Sequence, residues 1–239
     1  MKPNHLLITV ALFVALLLVG CSSGARVGPL RTESQSVELE NTESVRVDIS
    51  VGAGVLEVTG GAEKLLEGDF TYNVTELKPV VTFTDGTLLV QQPAVDGLPI
   101  LQGVTDFRNE WNLHLADQVP MNLKVNMGTG NSDLQLAGLS LTGLDVTLGA
   151  GTSTINLQGE WARDLDINID AGAAELTMRL PKDVGVRAEV DRGPAVIEAS
   201  GLVQDGDIYT NAAYGVSNVT LHVNLSAGIG RINLEVDDQ

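Results

Sequence analysis

The sequence of 239 residues predicts an all-β fold, a single-stranded β-helix or solenoid with coils of ~21 residues. The first observation behind this is a repeat. The segments that start at Leu123, Leu144, Leu165 and Val186 align without a gap. Each carries three apolar residues in alternation: Leu123, Val125, Met127; Leu144, Val146, Leu148; Leu165, Ile167, Ile169; Val186, Ala188, Val190. Alternation at period two marks a strand that buries one face. The second observation is a glycine after each segment, at Gly130, Gly151, Gly172 and Gly193, where a corner needs a permissive backbone. A further alternating run follows each corner: Leu134 and Leu136, Ile155 and Leu157, Leu176 and Met178, Ile197 and Ala199. The third observation is composition, with 26 glycines, few aromatic residues and abundant Val, Leu and Ile, a mix that suits strands and tight turns. One such unit cannot bury its apolar face alone. Stacked at the strand spacing of ~4.8 Å, the units merge their apolar residues into continuous ladders. Constant spacing favours a coil over a sandwich of hairpins, whose loops vary in length.

In chain order, residues 1–20 carry Lys2 as their one formal side-chain charge and run apolar from Leu6 to Val19. That is the pattern of a signal peptide, too short for a comfortable permanent span. Leu18-Val19-Gly20-Cys21 resembles the bacterial lipobox, which implies cleavage before Cys21 and a diacylglycerol on its thiol. Two or three acyl chains would anchor the protein lastingly to a membrane. Cys21 is the single cysteine, so stability must come from a core and not from disulfides. Residues 21–44, rich in Ser, Gly, Thr and Glu, read as a flexible tether. Residues 45–120 read as an N-terminal β-rich region, with strands at Phe70-Tyr72-Val74, Val81-Phe83, Leu88-Val90 and Trp111-Leu113-Leu115, and with Asp85-Gly86 as a hairpin turn. Residues 93–110 read as an irregular excursion. Residues 121–239 hold the repeat array. Two outlying copies match each other, Ile49–Val58 and Leu225–Leu234. The last copy follows its predecessor by 35 residues instead of 21, so the 14 extra residues around Asp205 to Tyr214 predict a loop that leaves the stack.

With the repeats, the corner glycines Gly52 and Gly54, the run Leu65-Leu66 before Phe70 and Tyr72, and the Lys78-Pro79 turn in view, the chain resembles the toast-rack family. It is also similar to the LiaF-like (cell-wall-active antibiotics response) and bacterial adhesin-like β-solenoid families. The resemblance covers most of the chain after Cys21. It implies a stacked β-solenoid on the outer face of the envelope, with no catalytic residues to carry over. LiaF-like regulators place several membrane helices ahead of the β-domain, whereas this sequence has an anchor at Cys21.

Removal of residues 1–20 leaves 13 basic and 31 acidic residues, a net charge of −18. Such a surface repels nucleic acid and anionic headgroups and favours solubility. Constant register predicts one outward column, Lys124, Asp145, Asp166, Arg187. Carboxylates one strand apart have a spacing that glycosidic chemistry can use. A basic residue at each end of the column fits a charge ladder better. Asp164, Asp166, Asn168 and Asp170 alternate and hold oxygen ligands, but same-face neighbours lie ~6.6 Å apart on a straight strand, too far for one ion. His114 and His222 should point outward, with no nucleophile or zinc pattern around them. Trp161 and Tyr214 read as exposed contacts for sugar or protein, or as core edges.

The sequence therefore predicts no catalytic residue, metal or cofactor. Its expected partners are a membrane through the Cys21 lipid and an envelope protein or a cell-wall glycan. The expected role is a lipid-anchored extracytoplasmic module for binding, adhesion or scaffolding. A regulatory sensor in an envelope-stress response and a carbohydrate-active β-helix enzyme are the alternative classes.

Overall fold

The computed structural model describes residues 27–40, 42–94 and 106–236. The predicted signal segment and Cys21 lie outside the described residues, as does most of the predicted 93–110 excursion. The described chain is all-β apart from one 3-10 turn, Thr75–Leu77.

Four long strands define the architecture: β2 (Val45–Thr59), β7 (Met121–Gln135), β8 (Leu141–Asn156) and β9 (Leu165–Arg179). Each is bent at its glycine corner into a first and a second leg. Successive strands pair in parallel along both legs: β2 with β7, β7 with β8, β8 with β9. The alternating residues of both legs point into one core, where Val125, Val146, Ile167, Leu134, Ile155 and Met178 are all buried. Leu136, Leu157 and Leu180, in the turns between rows, close the third side of that core. This is the predicted stack of alternating ladders.

The corners explain the tight row spacing. A Cβ at Gly130 would overlap the carbonyl oxygen of Gly54, and one at Gly151 that of Gly130. Both glycines hold φ near +130°, open to glycine and disfavoured for other residues (131° and 135°). The corner of β9 is built differently, from Gly172, Ala173 and Ala174, with no positive φ. Ala150 pairs with Ala173 and Gly151 with Ala174, so Gly172 stands beside Gly149 and not Gly151.

Three expectations are corrected at this level. First, the period is not constant. Leu123 pairs with Leu144, but Leu144 pairs with Ile167, a step of 23 residues. The turn after β8 holds two more residues than the strict repeat allows, within 157–164.

Second, the rows are not stacked in sequence order. The last copy, β14 (Thr220–Glu235), pairs with β9 on one side and with β10 (Gly185–Arg192) and β11 (Val196–Ser200) on the other. The row formed by β10 and β11 is thereby displaced to the end. Pro194 interrupts it at the corner, and proline offers no N–H to a neighbouring row, so an end position suits it. The 14 extra residues do not leave the stack. Strands β12 (Val203–Asp205) and β13 (Ile208–Thr210) form a hairpin whose second strand pairs with β10.

Third, part of the predicted tether is a strand. Strand β1 (Val27–Val37) pairs antiparallel with β3 (Leu66–Val74), which pairs with β6 (Asn109–Leu115), which pairs with the second leg of β2. β1 shows no apolar alternation because it is a polar strand at the sheet's margin. It is held by Tyr72 Oη donating to Glu33 (2.7 Å) and by a Lys78–Glu33 ion pair (2.6 Å).

The N-terminal end is closed on both legs. β4 (Val80–Thr84) and β5 (Thr87–Gln91) form the hairpin expected at Asp85-Gly86, and β5 covers the first leg of β2. β6 covers the second leg. Beneath it Phe70 and Trp111 meet edge to face, with centroids 5.3 Å apart.

Candidate functional site

The outer face of the first legs is a broad solvent-facing surface. Residues that alternate with the buried ladder form columns across six rows. One column runs Asp48, Lys124, Asp145, Asn168, Asn224, Glu189, and the next runs Ser50, Asn126, Thr147, Asp170, Ser226, Asp191. These side chains are polar because the alternate positions on each strand supply the core. Amides link the rows: Asn168 donates to Asp145 (2.9 Å) and Asn224 to Asn168 (3.1 Å), while Asn126 donates to Ser50 (3.1 Å).

The predicted column Lys124, Asp145, Asp166, Arg187 is therefore split. Lys124 does stand beside Asp145. The two-residue insertion then carries Asn168 to the place expected for Asp166. Asp166 and Arg187 share a different column with His222 between them, since β14 lies between β9 and β10. Arg187 pairs along its own strand with Glu189, Nη2 to Oε2 at 3.1 Å. No two carboxylates of the predicted column are adjacent, so the acid pair considered for glycosidic chemistry is not assembled. Asp164 accepts from the backbone N–H of Thr220 (2.8 Å) and pins the entry of β14. Among the described residues no group of three or more His, Cys, Asp or Glu could hold a metal ion. Among them, too, no helix is long and apolar enough to cross a membrane. His114 faces outward as predicted and bonds Thr59 Oγ1 through Nδ1 (2.6 Å).

Electrostatic perturbation is concentrated at the N-terminal cap, not on this face. The Lys78 ammonium and the Tyr72 hydroxyl both bond Glu33 and hold its carboxyl below the usual glutamate range. Burial, then the bond to Glu33, pushes the Tyr72 phenol up. Glu33 in turn raises Lys78, and Glu38 raises Lys64. These shifts follow from the salt links Lys78–Glu33 and Lys64–Glu38, which fasten β1 and its exit.

Three polar residues that no motif announced organise the chain. Gln92 Oε1 accepts from the N–H groups of Gly52 (2.9 Å) and Ala53 (3.2 Å), capping the first corner. Asn109 Nδ2 donates to Ala53 O (2.7 Å), and its Oδ1 accepts from Trp111 Nε1 (2.9 Å). Buried Asn211 accepts from Val186 N (2.9 Å) and donates to Pro181 O (3.0 Å) and Val184 O (2.7 Å). None of the three belongs to the repeat, so no periodicity announces them, and only their hydrogen bonds reveal them.

Of the aromatics singled out from sequence, Tyr214 is exposed. Trp161 is half-buried at the rim of a cleft of about 570 Å³ between three turns, 158–161, 180–184 and 217–219.

Stacked bent rows with polar outer faces define a β-solenoid-like module. The chain belongs to the toast-rack family: the family model described as the N-terminal domain of toast_rack, DUF2154, matches residues 26–179. A crystal structure of a candidate cell adhesion protein from Clostridium sporogenes is 31% identical. It superposes with a TM-score of 0.83 over 87% of this chain and 100% of that one. A candidate adhesin from Bacteroides fragilis is 14% identical, with a TM-score of 0.33 over 87% of this chain and 97% of its own. A candidate lipid-binding protein from Parabacteroides distasonis is 10% identical, also at 0.33, over 85% and 97%. No curated protein matches the chain.

Proposed function

We propose that this chain is a non-enzymatic binding or adhesion module of the bacterial cell envelope, held to a membrane by a lipid on Cys21. The likeness to the Clostridium sporogenes protein over 87% of this chain, in sequence and in fold, carries the reading. Two features support it. The outer face of the first legs is polar and continuous across six rows, a surface suited to an extended partner such as a glycan or an envelope protein. Its carboxylates stand apart or bond to amides, which leaves no converging set for hydrolysis.

The anchor is tested by fractionating cells that express the full chain. The expected result is membrane association and incorporation of labelled palmitate, both lost in Cys21→Ala. Binding is tested by exposing cells that display the protein to isolated cell wall and to crosslinking within the envelope. Retention of wall glycan, or of several surface proteins, supports adhesion. Capture of one membrane kinase would replace adhesion with a sensor role. Release of reducing sugar from the wall would overturn the non-enzymatic reading.

A further inference from the structure

We infer that the cleft beside Trp161 is a binding site for an uncharged sugar unit of a glycan. The inference deepens the binding role proposed above by naming a ligand class and a place for it.

The cleft is a product of the row order. In a stack built in sequence order, each connecting turn lies on the turn before it. Here the chain leaving β9 must pass over the slot that β14 fills, so the turn 180–184 climbs to the row beyond. The segment 217–219 then enters that slot from outside. Connections that diverge from neighbouring strands leave a crevice, the reason ligands gather where strand order switches in open sheets. The turn 157–164 forms the near wall, and its two inserted residues give it the reach to carry Trp161.

The walls suit a sugar. Trp161 Nε1 donates to Leu157 O (2.9 Å), which fixes the indole plane without a ligand and leaves ring surface at the cleft. A pyranose offers an apolar face of C–H groups to such a ring and a rim of hydroxyls to polar neighbours. Gln158, Glu160, Lys182, Asp183, Ser217 and Asn218 are its polar lining and supply carboxylate, ammonium, amide and hydroxyl partners. Buried Leu180 and Val184 form an apolar floor. The volume, about 570 Å³, lies within the range of small-molecule sites. Glu160 and Asp183 outnumber Lys182 at the site, and together with the net negative charge of the chain they disfavour uronic acids and sugar phosphates.

The test uses the two indole N–H signals of the protein in nitrogen–proton correlation spectra. Trp111 is buried and bonded to Asn109, so it reports on the fold, whereas Trp161 reports on the cleft. The probes are chitotriose, cellotriose and trigalacturonate at millimolar concentration. The inference expects one of the neutral trimers to shift the Trp161 signal saturably, with Trp111 unmoved and trigalacturonate inert. Asn218→Ala, on an exposed turn, should weaken that binding at least several-fold with an unchanged melting temperature. Trp161→Ala, followed through the backbone N–H signals of Ser217 and Asn218, should abolish it. Silence of the Trp161 signal with both neutral trimers overturns the inference, as does an equal response to trigalacturonate. If the trimers are silent while displayed cells still retain wall, this site is refuted and the adhesion reading stands.

Discussion

The middle of the stack and its C-terminal end are built from the same repeat but assembled by different rules. From β2 through β9 each row is one continuous bent strand, and the three rows β7, β8 and β9 follow one another in chain order. At the C-terminal end a continuous strand, β14, is drawn into the interior, and a row broken at Pro194 is left outside. The N-terminal end obeys the same logic, since the row covering β2 is split into β5 and β6. Unbroken strands occupy the inside because only they offer hydrogen-bonding groups to both sides through the corner. Row position thus follows corner quality, not order in the sequence.

The largest expected effect comes from charging an interior row. Val146→Asp buries an unpaired carboxylate between legs and should cost more than ~4 kcal/mol, enough to unfold a marginal domain. A folded Val146→Asp protein, judged by circular dichroism and urea titration, would break the assigned register. Next come the corners. Gly151→Ala places a Cβ on the carbonyl of Gly130 at a φ disfavoured for alanine, and should cost ~2–4 kcal/mol. The matching change in the next row, Ala174→Gly, should cost no more than ~1 kcal/mol. Equal losses in the two variants would mean that the corners are equivalent after all. Asn211→Ala strips partners from Val186 N, Pro181 O and Val184 O, for roughly 2–3 kcal/mol. Hydrogen exchange should then accelerate in β10 and β13 and not in β7 or β8.

The smallest effect concerns pH at the opposite end. The folded state holds the Glu33 carboxyl below its ordinary value, so its contribution is complete above that value and is lost as pH falls through the lowered one. Protection of β1 amides should therefore begin to fall below about pH 4.3, while the interior rows keep theirs. Lys78→Met should flatten that dependence. A pH-independent β1 would mean that the Glu33 link adds nothing to its docking.

Much of the fold was legible, for a reason that also set the limit. Alternation at period two identifies which side chains of Leu144–Leu148 and Leu165–Ile169 face inward. A slip of two residues preserves that pattern, so alternation cannot tell a coil of 21 from one of 23. The corner could have done so, because Gly172 aligns with Gly149 only in the longer step. Row order was hidden because parallel rows with equivalent faces are interchangeable in pattern. Pro194 was the one visible sign that its row belongs at an end. Strand β1 was missed because its polar residues bury almost nothing. The Trp161 cleft arises from the slip and the switched order together, so no motif could announce it.

The inward placement of β14 also constrains when the domain can be finished. Synthesis delivers the chain from its N-terminus, and rows through β9 can zip together as they emerge. The row after them cannot form its final contacts, because the strand it must rest on is made last. Until residues 220–235 arrive, β9 presents an open edge with its full set of unpaired backbone groups. The solenoid is in this sense closed from within by its last strand, a step between distant parts of the chain that is slow by nature. A ribosome stalled or a chain clipped just short of that strand would leave a sticky half-stack and not a shorter version of the same module.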